Sequence, residues 1–274
     1  MSVELPALSE LVLELHEPGV LVMAFNRPKE QNSLTKATYA EWRQVMQLVH
    51  ASSAIRVLVI TGNGRAFTAG HDLPSVNLPW SEALKEEFRQ RIDVVRDLAR
   101  LIITSPIPIV AAVNGPAVGF GCTILGLCDL VLASETAVFL TPFMELAFCA
   151  EGCSSVTFPR ILGPTVANDM LLFGRRMGAA EMHQRGFVAR VAKPDELMPL
   201  ALKLSTKLAG QSQPAVAATR ALIRTREWVD ELVRANDAEM DELFQRMISV
   251  DARTAVARMV ALLQARSGGA KPRI

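Results

Sequence analysis

Glu145 and Glu151 stand in the run VFLTPFMELAFCAEGCSSVTFP, residues 138–159, which is otherwise uncharged and rich in Phe, Leu, Val, Ala and Cys. A carboxylate in apolar surroundings loses hydration, and without compensation its affinity for a proton rises. Either residue is therefore a candidate general base. Two glycine-rich turns stand upstream, ITGNGRAFTAGHDL at 60–73 and AVNGPAVGFGCTI at 112–124. Each follows an apolar run of strand length and leads into a helix start, where unpaired backbone N–H groups face a ligand. Singly, such glycines serve tight turns and close packing. Two amide-rich turns together with an apolar-embedded Glu suit an oxyanion hole beside a carboxylate base.

Other chemistries fit poorly. GFG at 119–121 is no dinucleotide fingerprint, because the third glycine of that pattern falls on Ile124, and no GxxxxGK[ST] occurs. Cys122, Cys128, Cys149 and Cys153 form no CxxC pair and are far in sequence from His16, His50, His71 and His183. Reduced, buried thiols are expected rather than a metal site. The 274 residues are half apolar with a net charge of +1, which gives neither a nucleic-acid footprint nor a polybasic membrane patch. The uncharged stretch Leu101–Cys128 is long enough for a membrane span. Pro106, Pro108 and Pro116, with glycines at 115, 119, 121 and 126, break it into a buried strand, turn and helix. The N-terminus lacks a basic region followed by an apolar core, so no secretory signal is expected, and the ending AKPRI only loosely resembles a peroxisomal tripeptide.

The elements that must position these residues follow from periodicity. ELVLELHEPGVLVMAFNRP reads as a β-hairpin. Leu34, Trp42, Val45, Met46 and Val49 then recur at helical spacing, with Ser33 as the expected cap. IRVLVITG is a buried parallel strand, SEALKEEFRQRIDVVRDLARLIITS an amphipathic helix, IPIVAAVNG a second buried strand, and DLVLAS a third. AVGFGCTILGLC and GPTVANDMLLFG read as helices and GFVARVA as a last strand. This strand–helix alternation predicts an α/β layered fold. From Pro199 to Arg266 the chain reads as nearly all helical, with a loose tail SGGAKPRI, so a core at 1–198 and a helical region at 199–274 are expected.

The ensemble AFTAGHDL, PIVAAVNGPAVGFGCTILGLCDLVLAS, FLTPF, EGCSSVTFPRILG and AAEMHQRGFVARV resembles the enoyl-CoA hydratase/isomerase (crotonase) superfamily. The resemblance runs from about Glu10 to Val191 and into the helical tail. It implies an α/β, crotonase-like fold of repeated ββα units with a C-terminal helical trimerisation region, and a homotrimer or dimer of trimers. It also places the oxyanion donors at the backbone N–H groups of His71 and Phe120. Crotonase hydratases use two glutamates, which would align with Thr123 and Phe143, so both hydratase acids are missing. AEGCSSVTFP instead resembles the PEGCSS.TFP block of peroxisomal-type Δ3,Δ2-enoyl-CoA isomerases, with Ala150 in place of the proline and Glu151 as the single base.

The resemblance thus implies an isomerase moving the double bond of a 3-enoyl-CoA to the 2-trans position. Coenzyme A arrives on the substrate and no separate cofactor or metal is implied. Lys29 in the NRPKEQNSL turn, with Ala69, Gly70, Asp72 and Gly119, is expected to bind the acyl-CoA, and Arg65 is of similar standing to Lys29. The imidazole of His71 is expected to be a spectator or to line the pocket, Glu145 to be solvated or paired, and Asp72 and Asp129 to serve a turn and a strand end. Trp228, Leu232, Phe244 and Met247 are expected between subunits. A cytoplasmic or peroxisomal setting is implied. The rivals are another crotonase-type acyl-CoA enzyme, such as a hydratase or thioester hydrolase, and a non-catalytic acyl-CoA-binding module. Chromodomain-Y-like proteins carry a similar domain with the acid of the EGCS block altered; the retained Glu151 and the lack of a preceding chromodomain-like segment favour an enzyme.

Overall fold

The computed structural model describes residues 4–72 and 81–267. The hairpin expected from sequence is β1 (Leu11–His16) and β2 (Val20–Phe25), paired antiparallel with Leu13 opposite Met23. Helix α1 (Lys36–Ala51) leads to β3 (Val57–Gly62), and α2 (Glu82–Ile103) leads to β4 (Ile109–Val113). A short β5 (Ala117–Val118), the single-turn α3 (Phe120–Thr123) and a 3-10 turn come next, then β6 (Leu130–Ser134) and β7 (Val138–Leu140). Helices α4 (Ser154–Leu162) and α5 (Pro164–Leu171) precede β8 (Met177–Gly178), α6 (Ala179–Gln184) and β9 (Arg190–Ala192). Four helices complete the described chain: α7 (Pro194–Ala209), α8 (Gln213–Ile223), α9 (Arg226–Met247) and α10 (Val250–Ser267). The tail read as loose from sequence lies outside the described residues, apart from its first residue, Ser267.

The main sheet runs β1-β2-β3-β4-β6-β9, parallel from β2 onward. Every residue of β2, β3 and β4 is buried, as uninterrupted apolar runs require of strands covered on both faces. Alternation along each strand divides the core. Leu21, Met23, Leu58, Ile60, Ile109 and Ala111 pack with Trp42 and Val45 of α1 and Val95 and Leu98 of α2. Val20, Val22, Val57, Val59 and Val110 face the opposite way, against Leu197, Ala201 and Ala209 of α7. Helices, sheet and helix form three layers, the α/β layering that the alternation predicts. Positions 198 and 199 fall within α7, which is packed on the sheet.

Two expectations are corrected and one feature is added. The cap of α1 is Thr35, not Ser33: Thr35 Oγ1 accepts the Thr38 N–H and Thr38 Oγ1 accepts the Thr35 N–H, both at 3.1 Å. Ser33 Oγ instead accepts from Arg27 and donates to Asp72. A second, three-stranded sheet β5-β7-β8 was not predicted, since strands of two or three residues carry no readable period. Leu232 is fully buried within the single chain and Phe244 is 9% exposed, with Arg89 over the Phe244 ring. Both belong to this chain's own core rather than to a subunit interface. Trp228 lies under the guanidinium of Arg160, and Met247 is half-buried against the same core.

Candidate active site

Two turns at the carboxyl ends of β3 and β4 are joined side by side. The N–H groups of Phe67 and Thr68 both donate to Pro116 O at 3.1 Å, and the Val118 N–H donates to Thr68 O at 3.0 Å. Asn32, in the left-handed conformation, ties the preceding 26–34 turn to them by donating to Asn63 O and Ala66 O and accepting from the Arg27 N–H. Leu34 then pairs across His71: its N–H donates to Gly70 O and its carbonyl accepts from the Asp72 N–H. In this pairing the N–H of His71 itself points to the other side. Across the gap, Gly119 takes φ +56, and α3 begins at Phe120, whose N–H is one of the helix's orphans. Among the described residues no acceptor takes the N–H of His71 or of Phe120.

The approach of the turns is possible only with glycine. A Cβ on Gly70 would stand 2.7 Å from Val118 O, and one on Gly121 would stand 2.0 Å from Thr68 Cγ2. The Phe120 ring, fully buried, stacks on the His71 imidazole at 6.0 Å and meets Tyr39 edge-on at 5.6 Å.

Glu151 reaches this point from the opposite side. Gly152 and Cys153 follow it with φ +63 and +61, turning the chain sharply into α4. A Cβ on Gly152 would lie 2.5 Å from Thr123 Oγ1. The Glu151 side chain is 2% exposed, and its Oε2 lies 2.8 Å from His71 Nε2. His71 Nδ1 lies 2.5 Å from the Tyr39 hydroxyl. Burial, and then the charge of Glu151, push the Tyr39 phenol well above its usual range, with Arg91 acting the other way. Tyr39 is thus a donor to Nδ1, which leaves the imidazole proton on Nε2, donated to Glu151. The imidazole, expected as a spectator or a pocket-lining group, is hydrogen-bonded to the candidate base.

The structure separates the two acids that looked alike in sequence. Glu145 sits exposed in a 3-10 turn, Met144–Leu146, so its apolar sequence neighbours do not surround it in space. Thr123 and Phe143, at the positions of the two hydratase acids, are buried. Asp72 is exposed and fixes its turn, with Arg91 donating to its carbonyl and Ser33 to its carboxylate. Asp129 accepts the Ile109 N–H and pairs with Arg220, a strand-end role as expected. Lys29 and Arg65 are exposed on the two neighbouring turns, Ala69 is half-buried and donates its N–H to Gln31 O, and Gly119 borders Phe120. All four cysteines are free; burial pushes Cys122, Cys128 and Cys149 up to about 12 and Cys153 higher still, so none is a ready thiolate. Among the described residues no cluster of His, Cys, Asp and Glu could hold a metal ion.

Two residues of the site were missed by sequence reasoning. Tyr39 shares a face of α1 with Trp42, Val45 and Met46 and reads as core. Glu239, in α9, is a second nearly buried carboxylate, brought to the Glu151 loop from 88 residues further along the chain. Nothing in a helical acidic stretch distinguishes it from its exposed neighbours.

The model of the family described as enoyl-CoA hydratase/isomerase matches residues 16–261. Human enoyl-CoA delta isomerase 2 is 33% identical over 253 residues, 92% of this chain; the chain spans 64% of that relative's length. Mouse peroxisomal enoyl-CoA delta isomerase 3 is 36% identical over 183 residues, 67% of this chain and 57% of its own. Among solved structures, an enoyl-CoA hydratase/isomerase from Pseudoalteromonas atlantica superposes with a TM-score of 0.83 at 30% identity, covering 93% of this chain and 98% of that one.

Proposed function

The chain belongs to the enoyl-CoA hydratase/isomerase family, and within it we propose a Δ3,Δ2-enoyl-CoA isomerase with Glu151 as its base. The observation that carries this reading is one buried carboxylate hydrogen-bonded to the His71 side chain, while the backbone N–H groups of His71 and Phe120 have no acceptor among the described residues, with Thr123 and Phe143 where the resemblance puts the hydratase acids. The thioester oxygen of the substrate accepts from the N–H groups of His71 and Phe120. Glu151 Oε1, the oxygen not engaged by His71, takes a proton from C2. The electron pair left on C2 is delocalised over C2, C4 and the thioester oxygen as a dienolate, which the two N–H groups stabilise. The same carboxyl returns the proton to C4, and the double bond ends between C2 and C3. No water or redox partner is consumed, and burial of Glu151 keeps competing water away.

Coenzyme A, carried in on the substrate, lies along the 26–34 turn, with Lys29 toward a phosphate and Ala69, Gly70, Asp72 and Gly119 along the thioester end. The exposed Phe173, Leu222 and Ile223 offer apolar surface for a homotrimer or dimer of trimers. No helix among the described residues is long and apolar enough to cross a membrane. A cytoplasmic or peroxisomal setting suits this reading.

His71 tests the role of its side chain separately from its backbone. H71A keeps the N–H but removes the donor to Oε2. A hydrogen bond to a charged group is worth about 1.5–3 kcal/mol, so kcat is expected to fall roughly 10- to 100-fold. Glu151 is also faced by Tyr39, Cys149 and Glu239, which H71A leaves in place. Y39F, which frees the tautomer without removing the ring, is expected to cost less. Unchanged kcat in H71A would return the imidazole to a packing role.

One observation favours a second reading: the His71 imidazole lies 2.8 Å from the Glu151 carboxylate, so the site has a second proton-carrying group in place of a second glutamate. Hydration of a 2-enoyl-CoA is then possible. Purified protein given a 3-enoyl-CoA and, separately, a 2-enoyl-CoA in water separates the two. Conjugation of the first without 3-hydroxyacyl-CoA from the second supports the isomerase. Hydration sinks the single-base mechanism, and binding without either reaction points to a non-catalytic acyl-CoA module.

A further inference from the structure

The loop that carries Glu151 is held by a helix distant in sequence. Glu239 is 7% exposed; its Oε2 accepts the Cys153 N–H at 2.7 Å and its Oε1 the Ser155 N–H at 2.9 Å. Cys153 and Ser155 are the cap and second residue of α4, whose first N–H groups have no partner inside the helix. Cys153, in the left-handed conformation, has no side-chain oxygen to cap with, so the cap comes from α9. The same helix takes further hold of the loop: Cys153 Sγ donates to Leu232 O and Cys149 Sγ to Glu239 O. Arg160, later in α4, pairs with Glu231 at 2.6 Å. Helix α9 is itself tied to α2 through Arg96–Asp241, Arg100–Asp237 and the Asn236 side-chain amide on Arg96 O.

We propose that Glu239 is a positioning residue: by accepting the N–H groups of Cys153 and Ser155 it holds the loop that aims Glu151 at His71. Its catalytic consequence rests on the reading of Glu151 as the base. A carboxylate is a costly cap here. Burial pushes Glu239 up, the hydrogen bonds from Ser155 and Cys153 pull it back, and the charge of Glu151 adds to the rise. In its left-handed conformation position 153 lies outside the extended region from which an Asp or Ser caps a helix, so α4 takes its acceptor from elsewhere in the chain. What the longer route adds is a fixed relation between the base, on one side, and α9 and α2 on the other.

The test compares the full-length wild type with E239Q and E239A. The amide of Gln keeps one acceptor but turns a second donor toward a backbone N–H, and Ala removes both acceptors. Three readings are taken: steady-state kinetics on a 3-enoyl-CoA, peptide-level hydrogen exchange, and the side-chain nitrogen resonances of His71 by NMR of labelled histidine. The expected result is faster exchange confined to the peptide spanning 150–158. With it, kcat falls about 10- to 100-fold with KM within about twofold, as a displacement near 1 Å at a catalytic group produces. The His71 side-chain nitrogen resonances move toward those of E151Q, because the imidazole loses its contact with the Glu151 carboxylate. Three results overturn the proposal. They are exchange at 150–158 equal to wild type, exchange raised equally in the β2–β4 strands, or faster local exchange with kcat and the His71 resonances unchanged. Should the wild type move no double bond, the isomerase reading fails, while exchange and the His71 resonances still decide whether Glu239 holds the loop.

Discussion

E151Q is expected to lower kcat on a 3-enoyl-CoA by roughly a hundred- to ten-thousand-fold, the range that a general base contributes. Gln matches Glu in volume, and its carbonyl can still accept from His71 Nε2 at the same place, so packing around the fully enclosed side chain is preserved. What the variant lacks is an atom able to take the C2 proton. Acyl-CoA affinity should stay within a few-fold, because the proposed thioester donors are the backbone N–H groups of His71 and Phe120. Melting temperature should change little, or rise if a buried charge is a net cost. E145Q, made alongside, is expected to behave as wild type, since Glu145 lies in solvent. Turnover by E151Q within about tenfold of wild type removes Glu151 from the mechanism. A loss in E145Q matching that of E151Q would mean that the exposed turn moves onto the substrate.

Part of this was readable in the sequence for physical reasons. VLVMAF, VLVITG and IVAAV are unbroken apolar runs of strand length, and only a parallel sheet covered on both faces buries such runs entirely. The glycines at 70 and 119 mark where backbones approach or turn with positive φ, and both do so here. The choice between Glu145 and Glu151 was not composition's to make, because both sit among the same residue types. It is made by Gly152 and Cys153, whose paired left-handed conformations turn the chain behind Glu151 while Glu145 stays on an exposed turn. Tyr39, Leu232 and Phe244 show the limit from another side. A helix period tells which residues share a face, but whether that face meets the chain's own core, a partner or a hydrogen-bonded imidazole depends on what packs opposite. Glu239 is the extreme case: its partners are 84 and 86 residues away, and no local pattern encodes them.

The oxyanion side of the site is best tested at Gly119, where torsion can be separated from collision. Gly119 has φ +56 and ψ −126, a conformation that residues with a Cβ avoid, yet a Cβ built there meets nothing within 4 Å. Alanine at this position therefore clashes only with its own backbone, at a cost of about 1–3 kcal/mol. The chain can relieve that strain by rotating the peptide between 119 and 120, which carries the Phe120 N–H. A donor turned away from the developing oxyanion costs about 2.7–4 kcal/mol, so G119A is expected to lose roughly a hundred- to a thousand-fold in kcat with a smaller change in KM. G186A is the matched control: Gly186 has φ +79, equally open space around a Cβ, and lies beyond α6, away from the two turns. It should lose stability by a similar amount and keep its turnover. G121A is the opposite case, since its Cβ would meet Thr68 Cγ2 at 2.0 Å and force the two turns apart, which should lower the melting temperature as well as kcat. A G119A enzyme turning over within about twofold of wild type would show that the Phe120 N–H does not hold the thioester oxygen. The oxyanion would then have to be held by the His71 N–H and a donor elsewhere.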